Sequence, residues 1–224
     1  MNHSIKKKMW NLLSCMETGT PYMKYDMITI LPDGPKGIRQ ITLGVGFTEF
    51  GGNLKKVVQL YVNKKGIYAD KLSPFVDKIG KIPLVNDASF VELLKIASKK
   101  DGIMMDCQDT IFEEKYFTPA MKWAHTEGFK TNLAILCIFD SFLQSGQIFG
   151  FLRNRFSEKT PRNGGDEKKW ITEYIIARQQ WLKTHSNRAV RNSAYRTQSY
   201  LKIINNNNWD LLGVIKTDNG CSVI

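Results

Sequence analysis

Thr-Pro-Arg-Asn-Gly-Gly-Asp-Glu, residues 160–167, leads into a helical stretch that carries Ile-Ile-Ala-Arg-Gln-Gln-Trp at 175–181. Two earlier segments belong with it. Met16-Glu17-Thr18 lies near the N-terminus, and Leu31-Pro32-Asp33-Gly34 follows soon after. One carboxylate closes a first helix, a second sits on a tight turn, and the Gly-Gly-Asp segment comes late in the chain.

Residues 5–16 place Met9, Leu12, Leu13 and Met16 at helical spacing, so a helix leads into Glu17 and stops at Gly19 and Pro21. Residues 27–31 and 40–45 read as strands joined through Pro32-Asp33-Gly34-Pro35-Lys36-Gly37, the chain's one trusted β signal. Gly51-Gly52-Asn53 opens a helix with Leu54, Val57, Val58 and Tyr61 on one face. Helices are expected over 87–99, 106–114, 129–143, 168–183 and 194–204, with Thr118-Pro119 as a further N-cap and first-turn proline. The run 129–143 is apolar almost all round, as a central buried helix should be. No repeat or long linker divides the chain. It reads as a single catalytic domain over 1–224, with a small β-containing lobe at 18–105 and a helical lobe from 1–17 plus 106–224.

The composition, 42% hydrophobic and 11% aromatic, suits a globular chain. No apolar run approaches the roughly 20 residues of a membrane span. Lys6-Lys7-Lys8 and the following short apolar stretch only loosely mimic a signal peptide, so synthesis in the cytoplasm is expected, and action on an extracellular or cell-wall substrate would need non-standard delivery. Cys15, Cys107, Cys137 and Cys221 are widely spaced and read as four free thiols made in a reducing compartment, Cys137 buried. The net charge of +11 favours polyanionic partners over a polycation. His3, His125 and His185 are scattered, which gives no metal site, and no nucleotide or cofactor motif is visible. No cofactor is expected.

Paired carboxylates can divide acid and base work, one protonating a leaving group and the other activating water. Glu17 suits the acid. A carboxylate at the C-terminal end of a helix meets the negative end of the dipole, and apolar neighbours such as Met16 act the same way. Asp33 suits the base, because a Pro-Asp-Gly-Pro turn is rigid and open to solvent. Each residue alone also fits a plain structural role, as a solvated helix end and a turn residue. Asp26 and Glu49 stand in reserve. Asp140 interrupts the apolar run 133–139, and a carboxylate buried there needs a partner.

Together these segments resemble the family 46 chitosanases, glycoside hydrolases of lysozyme-like fold. The resemblance implies a mainly α (α+β), two-lobed architecture with a small antiparallel sheet beside a cleft. It implies Glu17 as acid and Asp33 as base in an inverting, endo-acting cut of β-1,4 bonds in an amino-sugar polymer. Thr42-Leu43-Gly44-Val45-Gly46-Phe47 is similar to the Thr-apolar-Gly-apolar-Gly strand of phage-type lysozymes, which makes Thr42 the holder of the attacking water. A purely structural strand is the alternative. Tyr25, Gly46 and Asn53 are implied as substrate-binding residues. Asp140, Arg178 and Arg196 are implied as a salt-bridge network behind the cleft.

Asn53 stands where the chitosanases carry an Asp that contacts the glucosamine amine. With the +11 charge, this tilts the expected substrate toward peptidoglycan over chitosan, as in an antibacterial effector with delivery machinery and an immunity protein. Two rival readings remain. One is a non-catalytic glycan-binding relative. The other is a nucleic-acid-binding protein using Arg188, Arg191 and Arg196 with Tyr195 and Tyr200, though a solvated basic helix face is the plainer account of those residues.

Overall fold

The computed structural model describes residues 2–224, with Ala189 described in its backbone alone. The first helix, α1 (His3–Thr18), starts where the Asn2 side chain accepts from the Ser4 N–H. It buries Met9, Leu12, Leu13, Cys15 and Met16, and stops at Gly19, whose left-handed φ of 71° closes the last turn. Three short strands follow: β1 (Ile28–Leu31), β2 (Gln40–Leu43) and β3 (Phe47–Thr48). They pair antiparallel in the order β1-β2-β3. The second expected strand is shorter than 40–45, because Gly44 and Gly46 take positive φ and turn the chain into β3.

Next come α2 (Leu54–Asn63), α3 (Ala69–Leu72), α4 (Ala88–Lys100) and α5 (Gly102–Phe112). Asp87 and Asp101 cap the last two through their side chains. The helix expected at 106–114 therefore begins four residues earlier, at the Asp101 cap. A π-helical turn, Glu113–Phe117, runs straight into α6 (Thr118–Thr126). Thr118 is consequently no cap: Phe117 is already helical and no side chain closes that end. The remaining helices are α7 (Asn132–Ser145), α8 (Gly150–Arg153), α9 (Glu167–Thr184), α10 (Arg188–Arg191) and α11 (Tyr195–Asn205). A second hairpin, β4 (Ile215–Lys216) with β5 (Ser222–Val223), lies outside the expected β content.

The chain divides into two compact units. The helical unit holds the described residues up to Tyr22 together with Glu114–Ile224. The sheet-bearing unit is Met23–Glu113. These bounds differ from the sequence-derived lobes at both crossings, and Met1, included in the first lobe, lies outside the described residues. The later boundary moves because α5 packs on α2 and α4 within the sheet-bearing unit.

The core of the helical unit forms around α7, whose residues from Leu133 to Ser141 are all buried. Trp170, Ile171, Tyr174 and Ile175 of α9 are buried in the same unit. The Gly-Gly-Asp-Glu segment fixes the starts of both helices. Gly165 passes so near the Lys159 carbonyl that a Cβ would fall 1.7 Å from its oxygen. Asp166 caps α9 by accepting from the Lys169 N–H at 2.7 Å. Glu167 reaches the start of α7 and accepts from the N–H groups of Lys130 and Thr131 and from the Thr131 hydroxyl, at 2.9, 2.7 and 2.9 Å. Two helices are thereby registered by two adjacent carboxylates.

Removing the second carboxylate leaves the N–H groups ahead of α7 without their acceptor. Glu167→Ala is expected to cost about 1–2 kcal/mol. That lowers the thermal midpoint by roughly 2–8 °C in a chain of this size. Calorimetry checks this, and an unchanged midpoint would remove Glu167 from the packing argument.

Candidate active site

In the helical unit the site is built around one buried carboxylate. Asp140, on α7, is fully buried between two arginines. Arg178 of α9 donates from Nη1 to Oδ2 at 2.7 Å. Arg196 of α11 donates from Nε to Oδ1 at 3.0 Å, and its Nη2 bonds the same oxygen. Burial pushes the Asp140 pKa up, but the charges of Arg196 and Arg178 outweigh it and hold the carboxyl below its ordinary value. Arg196 also turns Nη1 outward to Glu17 Oε1 at 2.6 Å. The network expected for Asp140, Arg178 and Arg196 thus extends one step further, to Glu17.

Glu17 sits in the last turn of α1, with about a third of its side chain exposed. Met16, expected to act on Glu17 as an apolar neighbour, is buried, and the contact that orients Glu17 is the Arg196 cation. Three other contacts steady this helix end, none of them foreseen in the sequence. The Tyr195 hydroxyl donates to the Met16 carbonyl. Asn219 Nδ2 donates to the Cys15 carbonyl at 2.8 Å. Cys15 is joined to Cys221 by a disulfide, with Cα atoms 5.7 Å apart. The expectation of four free thiols therefore fails for two of them. Cys107 and Cys137 are free and buried. The pairing escaped sequence reading because 206 positions separate the partners.

The sheet-bearing unit holds the second carboxylate. Asp33 is exposed on the turn between β1 and β2, and its Oδ1 accepts from Gln40 Nε2 at 3.0 Å. Gln40 is buried, and its Oε1 accepts from the Phe50 N–H at 2.9 Å, so the amide locks Asp33 to the backbone. Gly34 makes the turn tight: its N–H bonds the Ile38 carbonyl at 3.0 Å, and a Cβ would meet that oxygen at 2.6 Å. Side chains alternate across a strand, so Gln40 and Thr42 share one face of β2 while Ile41 and Leu43 are buried on the other. Thr42 is half-buried and lies in register with Thr29 and Thr48, forming a row of threonines. Gln40, a polar residue opening an apolar strand, was the available signal for this arrangement and was missed.

The other expected residues distribute unevenly. Tyr25 donates its hydroxyl to Asp109 at 2.9 and 3.0 Å, and burial first, then Asp109, raises its pKa. Gly46 belongs to the turn after β2 and not to a strand. Asn53, expected to face substrate, is buried ahead of α2. Glu49 is corrected as a reserve base: it is buried and accepts from the N–H groups of Ile41 and Leu84 at 3.2 and 2.6 Å. Asp26 is half-exposed beside the Lys24–Met27 turn. Of the expected basic patch, Arg196 and Tyr200 are buried, Arg191 is exposed and donates to the carbonyls of His185 and Ser186, and Arg188 is exposed. Among the described residues no group of three or more His, Cys, Asp or Glu side chains could hold a metal, and no helix is long and apolar enough to cross a membrane.

A helix-end carboxylate braced by buried arginines, and a turn carboxylate beside a small antiparallel sheet, define a glycoside hydrolase of lysozyme-like fold. The model of glycosyl hydrolase family 46 matches residues 11–214, and the chain belongs to that family. It is 28% identical over 233 residues to a chitosanase of Bacillus subtilis, covering 96% of this chain and 82% of the relative. A Glu-to-Ala variant of the chitosanase from Bacillus subtilis MY002, complexed with 6 GlcN, is 25% identical with a TM-score of 0.78. That likeness covers 100% of this chain and 98% of the other. The family 46 chitosanase of Gynuella sunshinyii, in complex with chitotetraose, matches at a TM-score of 0.81 and 23% identity, over 98% and 96% of the two chains.

Two measurements test the bracing. Asp140 has a lowered folded pKa, so it stabilises the native state above the ordinary carboxylate range and loses that contribution as the pH falls through the lowered value. Stability should hold from about pH 5 to 8 and fall below about pH 4. Asp140→Asn should cost about 3–5 kcal/mol at neutral pH and flatten the acid limb, because two arginines lose their counter-charge. Separately, Cys221→Ser should lower stability by about 2–5 kcal/mol. Equal denaturation midpoints with and without reductant would show that the Cys15–Cys221 link bears no weight.

Proposed function

We propose that this enzyme is an endo-acting, inverting chitosanase, with Glu17 as general acid and Asp33 as general base. The observation that carries the reading is the opposite treatment of two carboxylates in a family 46 chain. Glu17 is fixed at a helix end by the Arg196–Asp140–Arg178 chain, and Asp33 is open to water and held by Gln40. In the reaction, protonated Glu17 gives its proton to the glycosidic oxygen as the C1–O bond breaks. Asp33 takes a proton from a water that attacks C1 from the opposite side, so the new hemiacetal has inverted configuration. Thr42, on the sheet face shared with Gln40, holds that water through its hydroxyl.

The relatives favour chitosan as substrate, being chitosanases complexed with glucosamine oligomers or chitotetraose. The tilt toward peptidoglycan rested on the net charge and on Asn53, and Asn53 is buried. The charge is also unequal between units, with 19 Lys/Arg against 10 Asp/Glu in the helical unit and 13 against 11 in the sheet-bearing unit. We place its action outside the reducing cytoplasm. The Cys15–Cys221 disulfide supports that placement, since such bonds persist in oxidising compartments.

Reducing-end release from chitosan and from purified peptidoglycan decides the substrate. Chitosan should be cut, with Glu17→Gln and Asp33→Asn each losing about 10²–10⁴-fold in kcat. Proton NMR of the first products should show the α-anomer. Cutting of peptidoglycan alone would overturn the assignment. Gln40→Ala should lower kcat about tenfold with KM nearly unchanged, because Asp33 is then free to turn away from its water. A loss confined to KM would instead put Gln40 in substrate binding.

A further inference from the structure

The helical unit contains a cavity of about 630 Å³ lined by Trp123, Glu127, Ile148, Arg153, Lys159 and Asn163, with Trp170 behind it. Its size is that of a small-ligand site. None of its lining residues takes part in the Glu17–Arg196–Asp140–Arg178 chain. Trp123 is half-exposed and backed by Phe129 at 5.7 Å and Trp170 at 6.0 Å, so its indole is a rigid platform. The rim is ordered by a hydrogen-bond chain in which Asn163 Nδ2 donates to Thr160 Oγ1 and Thr160 donates to Glu127 Oε2, both at 2.8 Å. The aromatic surface continues beyond Gly150. Phe149 and Phe151 stack at 5.3 Å, Phe151 is 47% exposed, and Trp181 packs edge-on against both.

An aromatic platform bordered by amide, carboxylate and ammonium groups suits a saturated pyranose, whose C–H face stacks while its hydroxyls bond the rim. Charge selects among pyranoses. The lining holds Arg153 and Lys159 against one carboxylate, Glu127. Arg153 already donates to the carbonyls of Phe156 and Glu158 at 2.9 and 2.7 Å, and Glu127 already accepts from Thr160. An ammonium sugar meets net repulsion there, whereas an acetamido sugar does not. We propose that this cavity is a second carbohydrate site that takes an uncharged N-acetylhexosamine unit, with the adjoining chain laid over Phe151. This rests on the chitosanase reading, because chitosan retains acetylated units among its glucosamines. The cavity then anchors the enzyme on acetylated stretches while the carboxylates act on deacetylated ones.

The test is calorimetric titration of the Glu17→Gln protein with the tetramer of N-acetylglucosamine and, separately, the tetramer of glucosamine. The acetylated tetramer should bind, and Trp123→Ala should weaken it about tenfold. Phe151→Ala, an exposed position whose change leaves the core intact, should weaken it about threefold. In the otherwise wild-type enzyme both substitutions should leave hydrolysis of short glucosamine oligomers unchanged, while lowering turnover of long, partly acetylated chitosan. Unaltered binding in both variants, or displacement of the acetylated tetramer by the glucosamine tetramer, would overturn the proposal. Wild-type protein that cuts no chitosan would end the chitosanase reading instead, and the titration would still decide the cavity.

Discussion

A buried carboxylate cannot stay charged without partners, and in this chain that constraint falls on Asp140. It lies in the most apolar helix of the molecule, where an unpaired charge costs several kcal/mol. Two arginines from two later helices meet the requirement, so α7, α9 and α11 are tied together at one point. The tie also has direction. Arg178 is consumed inside, by Asp140, the Ser141 hydroxyl and Gln144. Arg196 satisfies Asp140 with two nitrogens and keeps a third for Glu17. A stability requirement in the core therefore orients a side chain at the surface. In the mechanism proposed above, Asp140 is a positioning residue that acts through Arg196.

The two carboxylates are held by different physics. Glu17 is fixed by charge, through a guanidinium whose own position is set in the interior. Asp33 is fixed by a neutral amide on an exposed turn. The disulfide holds the Cys15 side chain, and Asn219 and Tyr195 donate to the carbonyls of residues 15 and 16, immediately before Glu17. Helix ends fray because their last carbonyls lack intrahelical partners. Three tethers at the end of α1 suppress that fraying immediately before Glu17.

What could be read from the sequence was whatever local periodicity or capping chemistry specifies. The apolar spacing of α1, the run of α7, the Gly-Gly-Asp-Glu entry to α9 and the exposed Asp33 turn all signal themselves within a few residues. The need of Asp140 for a partner was legible for the same reason, since a lone charge in an apolar run is a local anomaly. Long-range pairings were not legible. Cys15 gives no hint of Cys221, and nothing in the terminal residues marks a hairpin that returns to α1. Glu49, held in reserve as a base, and Asn53, implied as a substrate residue by the resemblance, carry no local sign of burial, whereas folding buried both. In Glu49 the burial is made tolerable by two backbone N–H groups, a pairing that depends on Leu84 coming close from 35 positions away.

Net charge was the least transferable signal, and its failure has a physical cause. A sum over the chain treats every cation as part of one surface field, yet Arg178 and Arg196 are buried and neutralised by Asp140 and Glu17. Exposed charges act over about a Debye length, near 8 Å at physiological salt, so only the local balance reaches a substrate. The sheet-bearing unit, which carries Asp33, is close to neutral, and the excess lies in the helical unit. A basic net charge therefore does not by itself exclude a cationic polymer as substrate. On the reading proposed above, glucosamine units go to the two carboxylates and acetylated units to the second cavity.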